Sequence, residues 1–198
     1  TGVTGYSWGG LYALALSGAR IDPIAYLEFR KQASTMQPPL SPEYQRYTCS
    51  LATNWDLFST HVGDEIKAGE DGLWQPMTDE RIRAVMPMAP EGAWLYGERG
   101  LAAADRPVFM IQGSNDEFTL IDGKFIFEHL KTPELGMVSF IGKQHMMVFD
   151  AEPAAQMKHF ATAYFGYHLQ GRADYADYFS EEFVGQFEDL AWGFHEGE

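Results

Sequence analysis

The chain has 198 residues, of which 45% are hydrophobic and 15% aromatic, enough to build the core of one domain or of a large part of one. Its 28 acidic and 14 basic residues give a formal net charge of −14, so nucleic-acid phosphates and anionic membrane surfaces would repel it. No apolar run is long enough for a membrane span, and one cysteine allows neither an internal disulfide nor a cysteine-based zinc site. The six histidines lack HExxH or a similar spacing, so we predict no metal and no cofactor.

Apolar segments along the chain predict alternating strands and helices. TGVTGY (1–6) is typical of the end of a buried strand, and WGGLYALALSGA (8–19) predicts a helix of small residues that stops at Gly18. Further strands are predicted at 81–90, 106–113 and 136–142, and further helices at 120–131 and 152–169. Strands separated by helices favour the α/β class, with a mostly parallel sheet covered by helices.

Residues 22–80 break this alternation. The segment is long and aromatic, has a Pro-Pro turn at 38–39 and shows no clear strand pattern. We interpret it as a helical insertion within a single domain over 1–198, either packing at the sheet edge or forming a lid over a site. The tail from residue 174 predicts a short amphipathic helix followed by an acidic, frayed end.

Gly5-Tyr6-Ser7-Trp8-Gly9 matches the G-x-S-x-G pattern of a nucleophile elbow. In such a turn the serine has a strained backbone between a strand and a helix, and the residues two before and two after it come close together. Both positions therefore require small residues. Ser7 would stand at the N-terminus of the following helix, where the helix dipole and the Trp8 amide could stabilise an oxyanion.

A serine hydroxyl needs a base, and the base needs a group that orients it. Asp116 lies just past the third predicted strand, and His145 just past the fourth. Because functional groups of open α/β sheets lie at the carboxyl ends of the strands, both are expected at the same sheet edge as Ser7. The order Ser, acid, His is also that of the α/β-hydrolases.

Other assignments stay open at these positions. Glu91, after the second predicted strand, is an alternative acid, whereas Glu117 would point elsewhere than its neighbour Asp116. The other histidines are weaker candidates for the base, because they fall in helical segments, in the insertion or in the tail. They are His61, His129, His159, His168 and His195.

Four segments carry a resemblance to a known superfamily: GYSWGG, DERIRAVMPMAPEGAWLYG, RPVFMIQGSNDE and GKQHMMVFD. They resemble the C-terminal part of serine α/β-hydrolases, and within these the dienelactone-hydrolase-like and platelet-activating-factor-acetylhydrolase-like branch. The resemblance thins over 22–80 and implies Ser7 as nucleophile, His145 as base and then acid, and Asp116 as orienting acid. Since dienelactone hydrolases proper have cysteine at the position of Ser7, a carboxylic ester is the expected substrate rather than a lactone.

In that fold the elbow follows the fifth strand, so we expect about 100 residues of strands and helices before Ser7. This predicts a partial domain whose N-terminal strands, with the second oxyanion donor, are missing, and whose fragment could be inactive. The partner expected for such a partial domain is a second chain that would complete the sheet.

The leading functional prediction is hydrolysis of a small-molecule carboxylic ester through an acyl-enzyme, with no nucleic-acid partner. Tyr6, Trp8 and Trp94, with Trp55 or Phe58 from the insertion, are candidates for an apolar substrate pocket, although aromatic residues near such motifs are more often part of the core. The same three catalytic residues would support thioester hydrolysis, acyl transfer or perhydrolysis. A hydrolase-fold protein that only binds a ligand or partner is the rival from another class.

Overall fold

The computed structural model describes residues 1–35, 41–67 and 69–197. The Pro-Pro turn predicted at 38–39 lies outside the described residues. The described part of the chain forms one sheet of five strands in the order β1-β2-β3-β4-β5. These are β1 (Gly2–Tyr6), β2 (Ala84–Met88), β3 (Val108–Gly113), β4 (Leu135–Phe140) and β5 (Leu190–Trp192).

The first four strands pair in parallel, and only β5, on β4, is antiparallel. The helices in this part of the chain are α1 (Trp8–Leu16), α2 (Pro23–Gln32), α3 (Pro42–Thr48), α4 (Ser50–Thr53), α5 (Trp55–His61), α6 (Ala93–Ala102), α7 (Leu120–His129), α8 (Ala151–Gln170) and α9 (Glu181–Val184). Short 3-10 turns span His145–Phe149 and Ala173–Phe179. The predicted α/β class, with a mostly parallel sheet covered by helices, is confirmed.

The central strands are buried on both faces because each face has its own core. In β3, Val108 and Met110 belong to the core shared with α1, α6 and α7, whereas Phe109 and Ile111 belong to the core shared with α8. Successive side chains of a strand point to opposite faces, so a strand covered on both sides must be apolar throughout. This explains the continuous apolar run of this segment.

Two elements differ from the sequence predictions. The tail was predicted to end in a frayed segment, but it is held in the fold as far as Trp192. Leu190–Trp192 pairs with β4, and the Trp192 ring packs 6.0 Å from that of Phe109. The helix α6 was not predicted from the sequence, and it contains a glycine with non-helical backbone angles, Gly97. The short helix expected in the tail corresponds to α9.

The segment 22–80 contains the four helices α2 to α5 and no strand among its described residues. Asp22 caps α2 by accepting hydrogen bonds from the backbone of Ile24 and Ala25. Arg99 of α6 holds the same carboxylate at 3.0 Å, which ties the start of the segment to the helical layer of the sheet. Of the described helices, none combines the length and apolarity that a membrane crossing requires.

Within the described residues, β1 lies at one edge of the sheet and pairs only with β2. It is less enclosed than the central strands: its residues are half-buried or exposed, while every residue of β3 is buried. The expected second chain at this edge stays a prediction.

Candidate active site

The parallel strands end at a common edge, and the four loops that follow them meet there. Ser7 follows β1, Glu91 comes three residues after β2, Asp116 follows β3, and His145 comes five residues after β4. Since each loop leaves its strand at the same end of the sheet, residues separated by up to 138 positions in sequence come within hydrogen-bond distance.

The Ser7 turn has a strained backbone. Its φ of 56° lies in the left-handed region, which non-glycine residues rarely adopt and which costs on the order of 1–3 kcal/mol. Three backbone hydrogen bonds hold it: the Ser7 N–H donates to the Met88 carbonyl at 3.0 Å, and the Ser7 carbonyl accepts the N–H groups of Gly10 at 2.8 Å and Leu11 at 3.2 Å. The hydroxyl therefore stands at the start of α1, at the exposed end of the sheet.

The glycines around the turn are not equivalent. The prediction that the positions two before and two after Ser7 both require a small residue is therefore corrected. A Cβ on Gly5 would collide with the backbone carbonyl of Gly9, and would lie 2.9 Å from the Gly9 Cα. A Cβ on Gly9 would meet no atom within 4 Å. The second tight position is Gly10, where a Cβ would lie 2.8 Å from the Cα of Pro90. The close approach thus requires glycine before the serine and at Gly10, but not at Gly9.

We expect Gly5→Ala to lower the free energy of unfolding by about 3 kcal/mol, because the rigid backbone of Gly9 cannot move away from the new methyl group. The matched change Gly9→Ala should leave stability unchanged or raise it by up to about 1 kcal/mol, since alanine favours helix. Urea unfolding of both variants measures the difference. Equal stabilities would contradict the tight packing of the turn.

A continuous chain of hydrogen bonds links the three predicted residues. The Nδ1 atom of His145 lies 2.9 Å from Oδ2 of Asp116, and its Nε2 atom lies 3.0 Å from the Ser7 hydroxyl oxygen. If Nδ1–H donates to Asp116, the lone pair of Nε2 faces the serine proton. This is the arrangement in which an imidazole can act as a base toward a hydroxyl group.

The Asp116 carboxylate is buried and fully hydrogen-bonded. Its Oδ1 accepts the backbone N–H groups of Phe118 and Thr119, both at 2.9 Å. Its Oδ2 accepts the Thr119 hydroxyl at 2.8 Å and the Gln112 amide at 3.1 Å, besides His145. Burial opposes ionisation, but the hydrogen bonds from His145 and Thr119 outweigh it, so the pKa of Asp116 is lowered. Asp116 is therefore ionised at neutral pH.

His145 is also mostly buried. Its hydrogen bond with Asp116 raises the pKa of the imidazole, and this outweighs the opposite effect of desolvation. The Tyr6 hydroxyl donates to the His145 backbone carbonyl, and the Phe118 ring lies 5.2 Å from the imidazole, edge-on. Tyr6, proposed from sequence as a substrate contact, thus touches the loop that carries the imidazole.

The alternative acids occupy different places. Glu91 does not contact His145 Nδ1, which Asp116 occupies, but its Oε1 lies 3.4 Å from the Ser7 hydroxyl oxygen. Glu117 accepts the backbone N–H of His145 at 3.2 Å. The structure therefore brings Asp116, rather than Glu91 or Glu117, to the imidazole.

The other histidines have separate surroundings. His129 contacts the Phe125 carbonyl within α7, and His61 the Leu57 carbonyl within α5. His159 stacks on Phe183, and the backbone N–H of His195 donates to Ser139. Desolvation lowers the pKa of His168, near Glu134.

The two tryptophans predicted at the site differ in position. Trp8 is the first residue of α1, where a backbone N–H has no acceptor within the helix. Its exposed ring packs 5.1 Å from Tyr47 of α3. Trp94 is buried against Tyr26 and Phe29 and lines a cavity of about 340 Å³ between α2, α6 and α7. Trp55 and Phe58, also considered for the pocket, stack on Trp74 in the core.

Several groups that build the site were not among the residues predicted from the sequence. Thr119 and Gln112 fix Asp116, and Tyr47, from the insertion, donates to Glu91 at 2.6 Å. The D-x-x-T spacing from Asp116 to Thr119 could have indicated the first, but no sequence signal links residue 47 to residue 91. Among the residues that the structure describes, no cluster of His, Cys, Asp and Glu is arranged to hold a metal ion.

The mostly parallel sheet, the elbow after β1 and the order Ser, Asp, His along the chain form the arrangement of the α/β-hydrolase fold. No protein-family model matches the chain, and no curated protein matches it. Among solved structures, the chain is similar to a monoacylglycerol lipase of Paleococcus ferrophilus, with 17% identity, a TM-score of 0.35 and coverage of 79% of this chain. The match covers 64% of that lipase, less than two thirds of its length.

Proposed function

We propose that this protein is a serine hydrolase that cleaves carboxylic esters through an acyl-enzyme intermediate. The observation that carries the proposal is the hydrogen-bond chain from Asp116 through His145 to Ser7, with both links at 3.0 Å or shorter. The strained elbow at Ser7 supports it, because strain of this kind persists where the surrounding structure holds a group for use.

In the proposed reaction the Ser7 oxygen attacks the ester carbonyl carbon while His145 Nε2 takes the hydroxyl proton. The ionised Asp116 stabilises the imidazolium that forms. The Trp8 N–H donates to the oxyanion, aided by the dipole of α1. The C–O bond to the alcohol then breaks as His145 returns the proton to the leaving oxygen. A water molecule, deprotonated by the same imidazole, attacks the acyl-enzyme. The bond between the acyl carbon and the Ser7 oxygen then breaks as His145 returns the proton to Ser7, and the acid is released.

The substrate proposed is an ester rather than a lactone. The resemblance to the dienelactone-hydrolase-like and platelet-activating-factor-acetylhydrolase-like branch supports a small-molecule substrate. Ser7 stands where the dienelactone hydrolases proper have cysteine, which removes the reason to expect a lactone. Within this proposal Tyr6 positions His145 through its carbonyl. Trp94 lines an apolar pocket, but Ser7, Asp116 and His145 are not among the residues that line it, so Trp94 has no assigned role in the reaction.

Labelling with a fluorophosphonate tests the proposal directly, because these reagents phosphonylate an activated serine. We expect a single adduct by intact mass, mapped to the peptide that contains Ser7. Ser34→Ala, which removes an exposed serine, is the matched control and should keep the adduct. A folded chain that gives no adduct, or an adduct on another serine, would overturn the proposal for this chain.

A further inference from the structure

Glu91 has an unusual position for an acidic residue. It follows β2 and is only 3% exposed, and the next residue, Gly92, turns the chain into α6 with a φ of 117°. This turn directs the Glu91 carboxyl group toward the elbow, where Oε1 lies 3.4 Å from the Ser7 hydroxyl oxygen. A buried carboxylate is thus in contact with the proposed nucleophile.

The groups that satisfy this carboxylate are neutral. Its Oε1 receives the long contact from the Ser7 hydroxyl, and its Oε2 accepts the Tyr47 hydroxyl at 2.6 Å. Burial raises the pKa of Glu91, against the lowering effects of the hydrogen bond from Tyr47 and of the positive charge of His145 when that ring is protonated. A buried carboxylate is costly unless an opposite charge meets it, and neither hydroxyl brings one.

The reaction does not need Glu91 to orient the imidazole, although its charge also favours the protonated form of His145. Asp116 already fills the orienting position on His145. Negative charge develops on the substrate carbonyl oxygen when Ser7 attacks, so a second anion beside the Ser7 oxygen would raise the barrier for a neutral substrate. A cation carried by the substrate would remove this penalty.

We propose that Glu91 determines substrate specificity by binding an ammonium group next to the scissile carbonyl, so that the preferred substrates are α-amino esters. This inference rests on the proposed ester hydrolysis at Ser7. The Ser7 hydroxyl has one proton, which it gives to His145 during attack, so Oε1 of Glu91 is then free to accept an N–H of the ammonium group.

The distance limits the position of the ammonium group. The carbonyl carbon bonds to the Ser7 oxygen, and Glu91 lies against that same oxygen, so only groups one or two bonds from the carbonyl carbon can reach it. The α-amino group of an amino-acid ester meets this condition. Tyr47 holds Oε2 through its hydroxyl group and so keeps the carboxylate oriented.

The test compares leucine methyl ester with methyl 2,4-dimethylpentanoate, in which a methyl group replaces the ammonium. At pH 7 the α-amino group, with a pKa of about 7.7–8.0, is mostly protonated. We expect kcat/KM of the wild-type protein to favour leucine methyl ester by about tenfold or more, and Glu91→Gln to reduce that ratio by about tenfold. Glu128→Gln, which removes an exposed carboxylate of α7, should keep the wild-type ratio. An unchanged ratio in Glu91→Gln overturns the inference.

A binding measurement separates this inference from the proposed function. By calorimetry, Ser7→Ala should bind leucine methyl ester more tightly than the neutral ester, and Ser7→Ala/Glu91→Gln should lose the difference. If the cationic ester binds more tightly but the wild-type protein does not turn it over, the proposed function is contradicted and the ammonium site is supported. Equal binding of both esters to Ser7→Ala overturns the inference, even if the Glu91 variants fail to fold.

Discussion

Replacing Ser7 with alanine is expected to lower kcat for ester hydrolysis by about 10⁶-fold. The change removes the oxygen that lies 3.0 Å from His145 Nε2, so the imidazole loses the proton it would take and the substrate loses its nucleophile. Residual rate above the uncatalysed reaction would come from the Trp8 amide and from substrate binding alone. Initial rates with a chromogenic short-chain ester, at enzyme concentrations high enough to detect a loss of this size, measure the effect.

Ser34→Ala is the matched control for this experiment, because it makes the same substitution at an exposed serine. It should keep the wild-type kcat, while circular dichroism shows whether both variants are folded. A folded Ser7→Ala variant with wild-type turnover would mean that another group is the nucleophile, which would contradict the proposed acyl-enzyme at Ser7.

The strands could be predicted from sequence because burial on both faces leaves a strong pattern. The segment 106–113 contains a continuous apolar run over 107–111, and the structure places β3 at Val108–Gly113, between the α8 core and the core of α1, α6 and α7. Helix α8 likewise follows its predicted segment closely, since a twenty-residue amphipathic helix carries many turns of periodic signal.

The elements that were missed have little local signal. Three residues, Leu190–Trp192, are too few to show an alternation, and their pairing with β4 depends on packing against Phe109. In α6, Gly97 and Gly100 lower helix propensity, and the helix forms because Trp94, Tyr96 and Leu101 are buried against neighbouring elements. Tertiary contacts decide both elements.

Some features of the candidate site could likewise be predicted from the sequence, and others could not. Ser7, Asp116 and His145 could be named from sequence because each follows a recognisable strand, and parallel strands bring their carboxyl ends together. The contact of Tyr47 with Glu91 could not, because it depends on how the insertion packs over the sheet edge. The different requirements at Gly9 and Gly10 are also a property of backbone approach rather than of the G-x-S-x-G pattern.

Asp116→Asn is the second change with a large expected effect, a loss of about 10⁴-fold in kcat. The carboxylate accepts five hydrogen bonds, and an asparagine must turn its NH₂ group toward one set of donors. The backbone N–H groups of Phe118 and Thr119 cannot reverse, so the NH₂ group would face His145. Nδ1 would then have to accept, which moves the imidazole proton to Nε2 and leaves no lone pair for the Ser7 proton.

The same change should lower the pKa of His145, because the hydrogen bond with Asp116 is the main cause of its raised value. In the wild-type protein the imidazole must be neutral to act as a base, so kcat/KM should rise with pH through a midpoint above the ordinary histidine value of about 6.5. An NMR titration of the His145 ring in both proteins measures the shift. Glu128→Gln, which removes an exposed carboxylate of α7, is the control and should leave the pKa of His145 unchanged. If Asp116→Asn retains the wild-type kcat, the orienting acid is another residue, and Glu91 becomes the first to test because it is the other buried carboxyl group beside Ser7.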